Sequence, residues 1–196
     1  MWIMNCVSAL SILLITTTSV SADSATVPQS LERILVSNMK LLESEFKNSE
    51  ILTAVINSNK NHANISKAEI QELDARWAVA KGVNDFIKPY LTNDCAKFLV
   101  DIQDRHDGFA EIFITDNHGL NVCQTNKTSD LYQADESWWS DTWNGGVGNQ
   151  HHGQIEYDES ARSEAIAVYL PIRALNSEQV VGVAKAVIDV TALKSA

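Results

Sequence analysis

Residues 130–141 read DLYQADESWWSD. Trp138 and Trp139 are adjacent, Tyr132 precedes them, and Asp130, Asp135, Glu136 and Asp141 surround them. Indole and phenol faces attract cations, and carboxylates pair with cations. This composition therefore suits recognition of an amine, a quaternary ammonium or a hydrated cation. Tryptophan is also a large apolar group with one N–H to satisfy, and a helix lying on a sheet uses it equally well as a core plug. Adjacent helical positions point about 100° apart, so one indole can face a core while the other lines a cavity.

Other chemistry has weaker support. Cys95 and Cys123 have no sequence-adjacent histidine, and the chain has no CxxC pair and no G-x-S-x-G elbow. An enzyme using either cysteine as a nucleophile, with a histidine, is the competing class; a disulfide between the two is the other expectation. The GGVGN stretch at 145–149 lacks the Lys-Ser/Thr tail of a phosphate loop. His151 and His152 follow it and read as exposed loop residues, while His62, His106 and His118 lie near polar turns and read as surface. No metal or cofactor is expected.

The elements that must position these residues change character halfway along the chain. Leu31, Ile34, Leu35, Met39, Leu42 and Phe46 recur at helical spacing, and Ile51, Leu52, Val55 and Ile56 continue the stripe, predicting a long helix over about 28–57. Ser66 and Glu69 form a capping box that opens a second helix to about Val79, and Asn93 or Asp94 caps a third, to about Gln103. The period then becomes two. FAEIFITD (109–116), the turn DNHG and LNVCQT (120–125) predict a hairpin. EAIAVYLPI (164–172) and VVGVAKAVIDV (180–190) predict further strands, and TALKSA a short helical tail. Helices followed by an antiparallel sheet make the expected class α+β.

The 196 residues carry a formal net charge of −10. Basic residues are scattered, so nucleic acid and anionic membrane are poor partners. Residues 1–22 contain no charged side chain, and the apolar run Val7–Ile15 leads to Val20-Ser21-Ala22. This reads as an export signal cleaved after Ala22, because the run is shorter than the roughly 20 residues of a bilayer span. Residues 23–196 then form one extracytoplasmic domain, periplasmic or extracellular.

The ordered set EIFITDNHGL, DLYQADESWW, EYDES, AVYLPI and VVGVAKAVIDV, after a long helix and a helical segment, resembles the Cache family of PAS-like sensor domains, in its single-module form. The matching residues are Asp116 and Gly119 in the hairpin, Tyr132, Trp138 and Trp139 in the loop and helix, Pro171, and Gly182 with Ile188 and Asp189 in the last strand. The resemblance implies a long N-terminal helix, a helical segment and a central antiparallel sheet, with a ligand between the sheet and the Tyr/Trp cover. It places Tyr132, Trp138, Trp139, Tyr157, Asp158 and Asp189 at or near that ligand, and Glu136, beside the tryptophans, joins them as a candidate contact on account of its charge. Amino-acid-binding relatives use a pattern like R-x-W-Y; here Glu136-Ser137-Trp138-Trp139 stands instead, and a glutamate repels a carboxylate.

The expected function is therefore a non-enzymatic ligand sensor that favours an amine or other cation, its charge balanced by Glu136, Asp158 and Asp189. It reports to a membrane-bound signalling partner, or to a second copy through the N-terminal helix. A small-carboxylate sensor is the alternative ligand class, the carboxylate held by Lys185, which shares a strand face with Asp189 by period-two counting, or by Arg162. A ligand-free adaptor is the remaining class. The leader makes the first testable statement: intact mass of the chain from the extracytoplasmic fraction of its host should place the N-terminus at Asp23. A mass that retains residues 1–22 would identify an anchor instead.

Overall fold

The computed structural model describes residues 27–158 and 163–194. The expected leader and Arg162 lie outside the described residues, and of Asp158 only the backbone is described. Helix α1 (Gln29–Glu45) buries Leu31, Leu35, Met39 and Leu42, one stripe at helical spacing. The single helix expected over 28–57 is in fact two. The chain breaks at Phe46–Asn48, and α2 (Ser49–Asn61) restarts with the Asn48 side chain accepting the Glu50 N–H at 2.8 Å. The apolar stripe conceals the break, because Phe46, Ile51, Leu52 and Val55 all enter the same core.

Helix α3 (Lys67–Val79) opens with the reciprocal Ser66–Glu69 capping box. Helix α4 (Lys88–Thr92) leads into α5 (Asp94–Arg105), capped by Asn93 through the Ala96 N–H. Five strands follow: β1 (Phe109–Thr115), β2 (Asn121–Gln124), β3 (His151–Asp158), β4 (Ser163–Arg173) and β5 (Val180–Asp189). Between β2 and β3 lies α6 (Ser137–Trp143), and α7 (Val190–Lys194) follows β5. No described helix is long and apolar enough to cross a membrane.

The strands form one antiparallel sheet in the order β2-β1-β5-β4-β3. The α+β class expected from the sequence is what is observed. Strand β3 was not expected: its HHGQIEYD run is short of β-branched and apolar residues, and pairing with β4 holds it in the sheet. His151 and His152 are therefore strand residues on opposite faces, not members of an exposed loop.

Period-two alternation divides the sheet. Ile112, Ile114, Ile166, Val168, Leu170, Ile172, Ala184, Ala186 and Ile188 face α1, α2 and α5 and form the main core. Cys95 on α5 is bonded to Cys123 on β2, with Cα atoms 5.8 Å apart, which staples a helix to the edge strand on that face. A second cluster gathers Trp77, Ile87, Leu120 and Leu131, and the Trp77 indole donates to the Thr128 carbonyl at 2.9 Å.

The β1–β2 turn is fixed by one carboxylate. Asp116 is fully buried; Oδ1 accepts the His118 and Leu120 N–H groups at 2.9 and 3.0 Å. Its Oδ2 accepts the Ser58 hydroxyl at 2.9 Å and meets His62 Nδ1 at 2.6 Å. His62, which the sequence suggested was a surface residue, is thus a tether between α2 and the hairpin. Gly119 follows at φ +83°, and a Cβ there would collide with Ala134, so this turn requires glycine twice over.

Two outcomes follow from this packing. Closing a 28-residue separation with the disulfide contributes roughly 3–4 kcal/mol in the chain-entropy model, so Cys123→Ser should lower the urea unfolding free energy by about that amount. An unchanged midpoint would contradict it. At the other end of the sheet, Asp189 Oδ1 caps α7 by accepting the Thr191 and Ala192 N–H groups at 2.7 and 3.2 Å. Partial burial pushes its carboxyl upward, but bonds from Ala192, Thr191 and the Ser163 hydroxyl outweigh this and leave it below its usual range. A depressed carboxyl stabilises above the ordinary aspartate value of about 3.9 and loses that contribution as pH falls through its folded value. Asp189→Ala should therefore cost about 0.5–1 kcal/mol at neutral pH, with the gap closing in acid; a gap that persists below the folded value would show that the charge is not what caps the helix.

Candidate functional site

The face of the sheet turned away from the main core is covered by α6. Direct pairing places one residue from each strand in a single row across it. Gln124 pairs with Phe113, Phe113 with Lys185, Lys185 with Tyr169, and Tyr169 with His151. Directly paired residues share a face, and neighbouring strands lie about 4.8 Å apart. The row therefore runs Gln124–Phe113–Lys185–Tyr169–His151 over roughly 19 Å.

Helix α6 sets Trp138 on the middle of this row. Its ring stacks on Tyr169, with centroids 5.1 Å apart and planes 16° apart, and meets Phe113 edge-on at 5.9 Å. Lys185 Nζ lies 5.2 Å from the Trp138 ring and 5.8 Å from the Phe113 ring. The protein thus supplies its own cation to the aromatic faces. The His151 ring is 4.8 Å from that of Tyr169. Burial raises the Tyr169 hydroxyl first, and the charges of Glu156 and Glu136 raise it further, so it stays protonated and able to donate.

Both ends of the row hold unsatisfied polar atoms. Gln124 is fully buried and its Nε2 has no partner; at the far end the buried His151 Nδ1 has none either. Each such atom costs about 1–3 kcal/mol unless something binds it.

Of the seven residues expected around a ligand, the six whose side chains are described do not converge. Trp138 is on the row. Trp139 is buried farther along the same face, where its indole donates to Thr115 Oγ1 at 2.8 Å and stacks on Trp143 at 5.5 Å, so it is a plug between helix and sheet. Tyr132 packs on the second cluster, with its N–H bound to Asp74. Glu136 is exposed at the α6 N-terminus, Tyr157 is 63% exposed, and Asp189 is engaged in capping α7. Lys185 does share its face with Asp189, as period-two counting suggested.

Sequence reasoning missed Tyr169, Gln124 and His151. The signal for Tyr169 was the second parity of β4, which was read only for Ile166, Val168, Leu170 and Ile172. Gln124 and His151 join the row through long-range register and carried no local signal.

The cysteine-nucleophile reading loses its geometry. Both thiols of the cysteine reading are in the disulfide. Ser58, His62 and Asp116 lie together, but hydroxyl and carboxylate both meet Nδ1, at 3.3 and 2.6 Å, so the imidazole does not stand between them as a proton-transfer base must. Two recesses, of about 610 and 700 Å³, open away from the row: one between α2, α4, α5 and β2, the other between the α1–α2 junction and the β4–β5 turn.

No protein-family model and no curated protein matches the chain. Several solved structures are similar to it. One is the ligand-binding domain of an amino-acid chemoreceptor of Pseudomonas aeruginosa in complex with GABA, at 15% identity and TM-score 0.42, covering 81% of this chain and 63% of that one. Another is the sensor domain of a histidine kinase of V. cholerae, at 10% identity and TM-score 0.41, covering 85% and 60%. A third is the sensory domain of a Campylobacter jejuni chemoreceptor with isoleucine bound, at 12% identity and TM-score 0.41, covering 86% and 66%. The chain spans less than two thirds of each. The solved chains that it is similar to are, then, sensory and ligand-binding domains of chemoreceptors and histidine kinases.

Proposed function

We propose that the chain is an extracytoplasmic ligand-sensing module whose ligand lies on the row beneath α6, and that this ligand carries a small carboxylate. The observation that carries the reading is the row itself: one side chain from each strand, a lysine at its centre, and unpartnered buried polar atoms at both ends. Lys185 supplies a positive charge, and the Tyr169 hydroxyl and Gln124 Nε2 supply hydrogen-bond donors. A carboxylate satisfies donors; an ammonium does not.

The sequence alone favoured a cationic ligand. Two features of the structure support the carboxylate alternative instead. Trp138 already has an ammonium beside it, and Asp189, counted as a counter-charge, is engaged elsewhere. Glu136 and Glu156 act on Tyr169 from the margin of the row and suit a second, positive group on the same ligand.

Entry requires α6 to lift, because Trp138 stacks where the ligand must pass. The helix has seven residues and ends on Asn144 at φ 46°, followed by Gly145, Gly146 and Gly148, all with positive φ. Such a segment can change direction at low cost. Movement at the row has a mechanical outlet. His151 stands on it, and the next residue, His152, contacts Glu32 of α1 at 3.0 Å from the other face. We assign signalling to that helix, acting on a membrane-bound partner or on a second copy of the chain.

A thermal-shift and calorimetric screen of acetate, propionate, C4 dicarboxylates, α-amino acids and simple amines tests this. A carboxylate-bearing compound should bind. Lys185→Met keeps the stem and removes the charge, so it should weaken binding by at least about tenfold while the circular dichroism spectrum is unchanged. Binding only of amines, or carboxylate binding that is indifferent to Lys185→Met, would overturn the proposal.

A further inference from the structure

The segment that follows α6 holds the chain's single Asn-Gly pair, Asn144–Gly145. An asparagine carries an electrophile, the carboxamide Cγ, within reach of the next residue's backbone nitrogen. Most side chains shield that nitrogen; glycine has none to do so. Both residues are exposed, and a Cβ built on Gly145 would meet nothing within 4 Å, so a ring closing there has open space.

The fold withholds this reaction. A five-membered ring closes only when Asn144 Cβ and the Gly145 nitrogen eclipse one another about the Cα–C bond. Asn144 sits at φ 46° and ψ 51°, the left-handed cap of α6. With tetrahedral geometry at Cα, that ψ puts the two atoms on nearly opposite sides of the bond. The Val147 N–H donates to the Asn144 carbonyl at 3.1 Å and holds the ψ, because the carbonyl turns with it. Reaction therefore needs the Asn144–Gly145 peptide to swing round.

Lifting α6 calls for the same swing. Beyond the hinge the chain is anchored. Arg173 Nη2 donates to the Val147 carbonyl at 3.1 Å, and Gly148 lies so close to Val180, Arg173 and Pro171 that a Cβ there would collide with all three. The Gly148 and Asn149 N–H groups donate to the Trp143 and Thr142 carbonyls at 3.1 and 2.8 Å, and these are the bonds that tie α6 down to the anchor. A helix that breaks them and moves against the anchor turns at residues 144–147.

We propose that Asn144 is a covalent modification site, which deamidates spontaneously when α6 opens and is protected while α6 is closed. The Gly145 nitrogen, giving up its proton, bonds to Asn144 Cγ; the Cγ–Nδ2 bond breaks, and ammonia leaves with that proton. Water then opens the cyclic imide at either carbonyl and leaves an aspartate or an isoaspartate at this position. Either product puts a negative charge beside the last carbonyls of α6, three residues from Asp141, where the helix dipole and the like charge both disfavour it. The isoaspartate also lengthens the main chain by a carbon atom. Both changes loosen the cover. The gating rests on the reading of α6 as a cover that opens over the row; the chemistry of the Asn-Gly pair does not.

The test is peptide mapping by mass spectrometry of the full chain aged in mildly alkaline buffer, native and in urea, with isoaspartate identified by enzymatic methylation. In urea Asn144 should be the fastest asparagine of the chain to deamidate, and Gly145→Ala should slow it severalfold. In the native chain Asn144 should still react, at least about tenfold more slowly than in urea. Asn144→Asp, which supplies the charge of the product, should speed hydrogen exchange at the α6 amides severalfold. The proposal is overturned if native Asn144 stays intact while the urea sample reacts, if the native and urea rates are equal, or if Asn144→Asp leaves α6 exchange unchanged. A carboxylate that binds the row should change the native rate at Asn144. A native rate indifferent to bound carboxylate would keep the modification site and count against the seat of the ligand under α6, so the two readings fail separately.

Discussion

The register of β1, β5 and β4 is the constraint on which the rest of the structure depends. In an antiparallel sheet a slip of one residue sends every side chain to the opposite face. Here one parity of β5 supplies Ala184, Ala186 and Ile188 to the main core, and the other supplies Val183, Lys185 and Asp189 to the face under α6. The apolar residues of β1, β4 and β5 in the main core hold that register by burying themselves against α1, α2 and α5. Burial worth about 25 cal/mol per Å² makes a slip prohibitive. The row Gln124–Phe113–Lys185–Tyr169–His151 follows as a consequence. The core that stabilises the fold is also what aligns five residues, distant in sequence, on the other face.

Much of the fold was legible because its signals are local. The Ser66–Glu69 capping box, the Asn93 cap, the DNHG turn and the alternation of β4 and β5 each depend on residues within a few positions of one another. The α1–α2 break was obscured because its cap, Asn48, interrupts a stripe whose apolar spacing continues through it. Strand β3 has little intrinsic strand preference and owes its conformation to pairing with β4. The site was legible in part. Trp138 and Lys185 were identified, but their relation was not, since the sequence shows an indole and an amine without showing that they meet at 5.2 Å. That contact changes the sign of the proposed ligand.

Asp116 and the disulfide together explain how the helical layer can be firm while α6 is left light. Asp116 accepts from two backbone N–H groups, a hydroxyl and an imidazole, and so ties α2 to the β1–β2 turn. Cys95–Cys123 ties α5 to β2 two residues beyond Asn121. Both fasten the edge of the sheet near β2 to the helices. By contrast α6 is short, has no side-chain cap at its N-terminus, and rests on Trp138, Trp139 and Thr142. Stability is thus concentrated on one face and adaptability on the other, the distribution expected where a cover must open over a fixed floor.

The central claim is that the ligand sits on the row with its carboxylate at Lys185. The most direct measurement is side-chain NMR of the labelled full chain, saturated with the best carboxylate from the screen, reading the Lys185 Nζ and Cε, Gln124 Nε2 and His151 ring signals together. The account predicts that all three residues shift with one common dissociation constant while the His62 ring does not move. Shifts confined to residues off the row, or a Lys185 ammonium that does not respond at saturation, would contradict it.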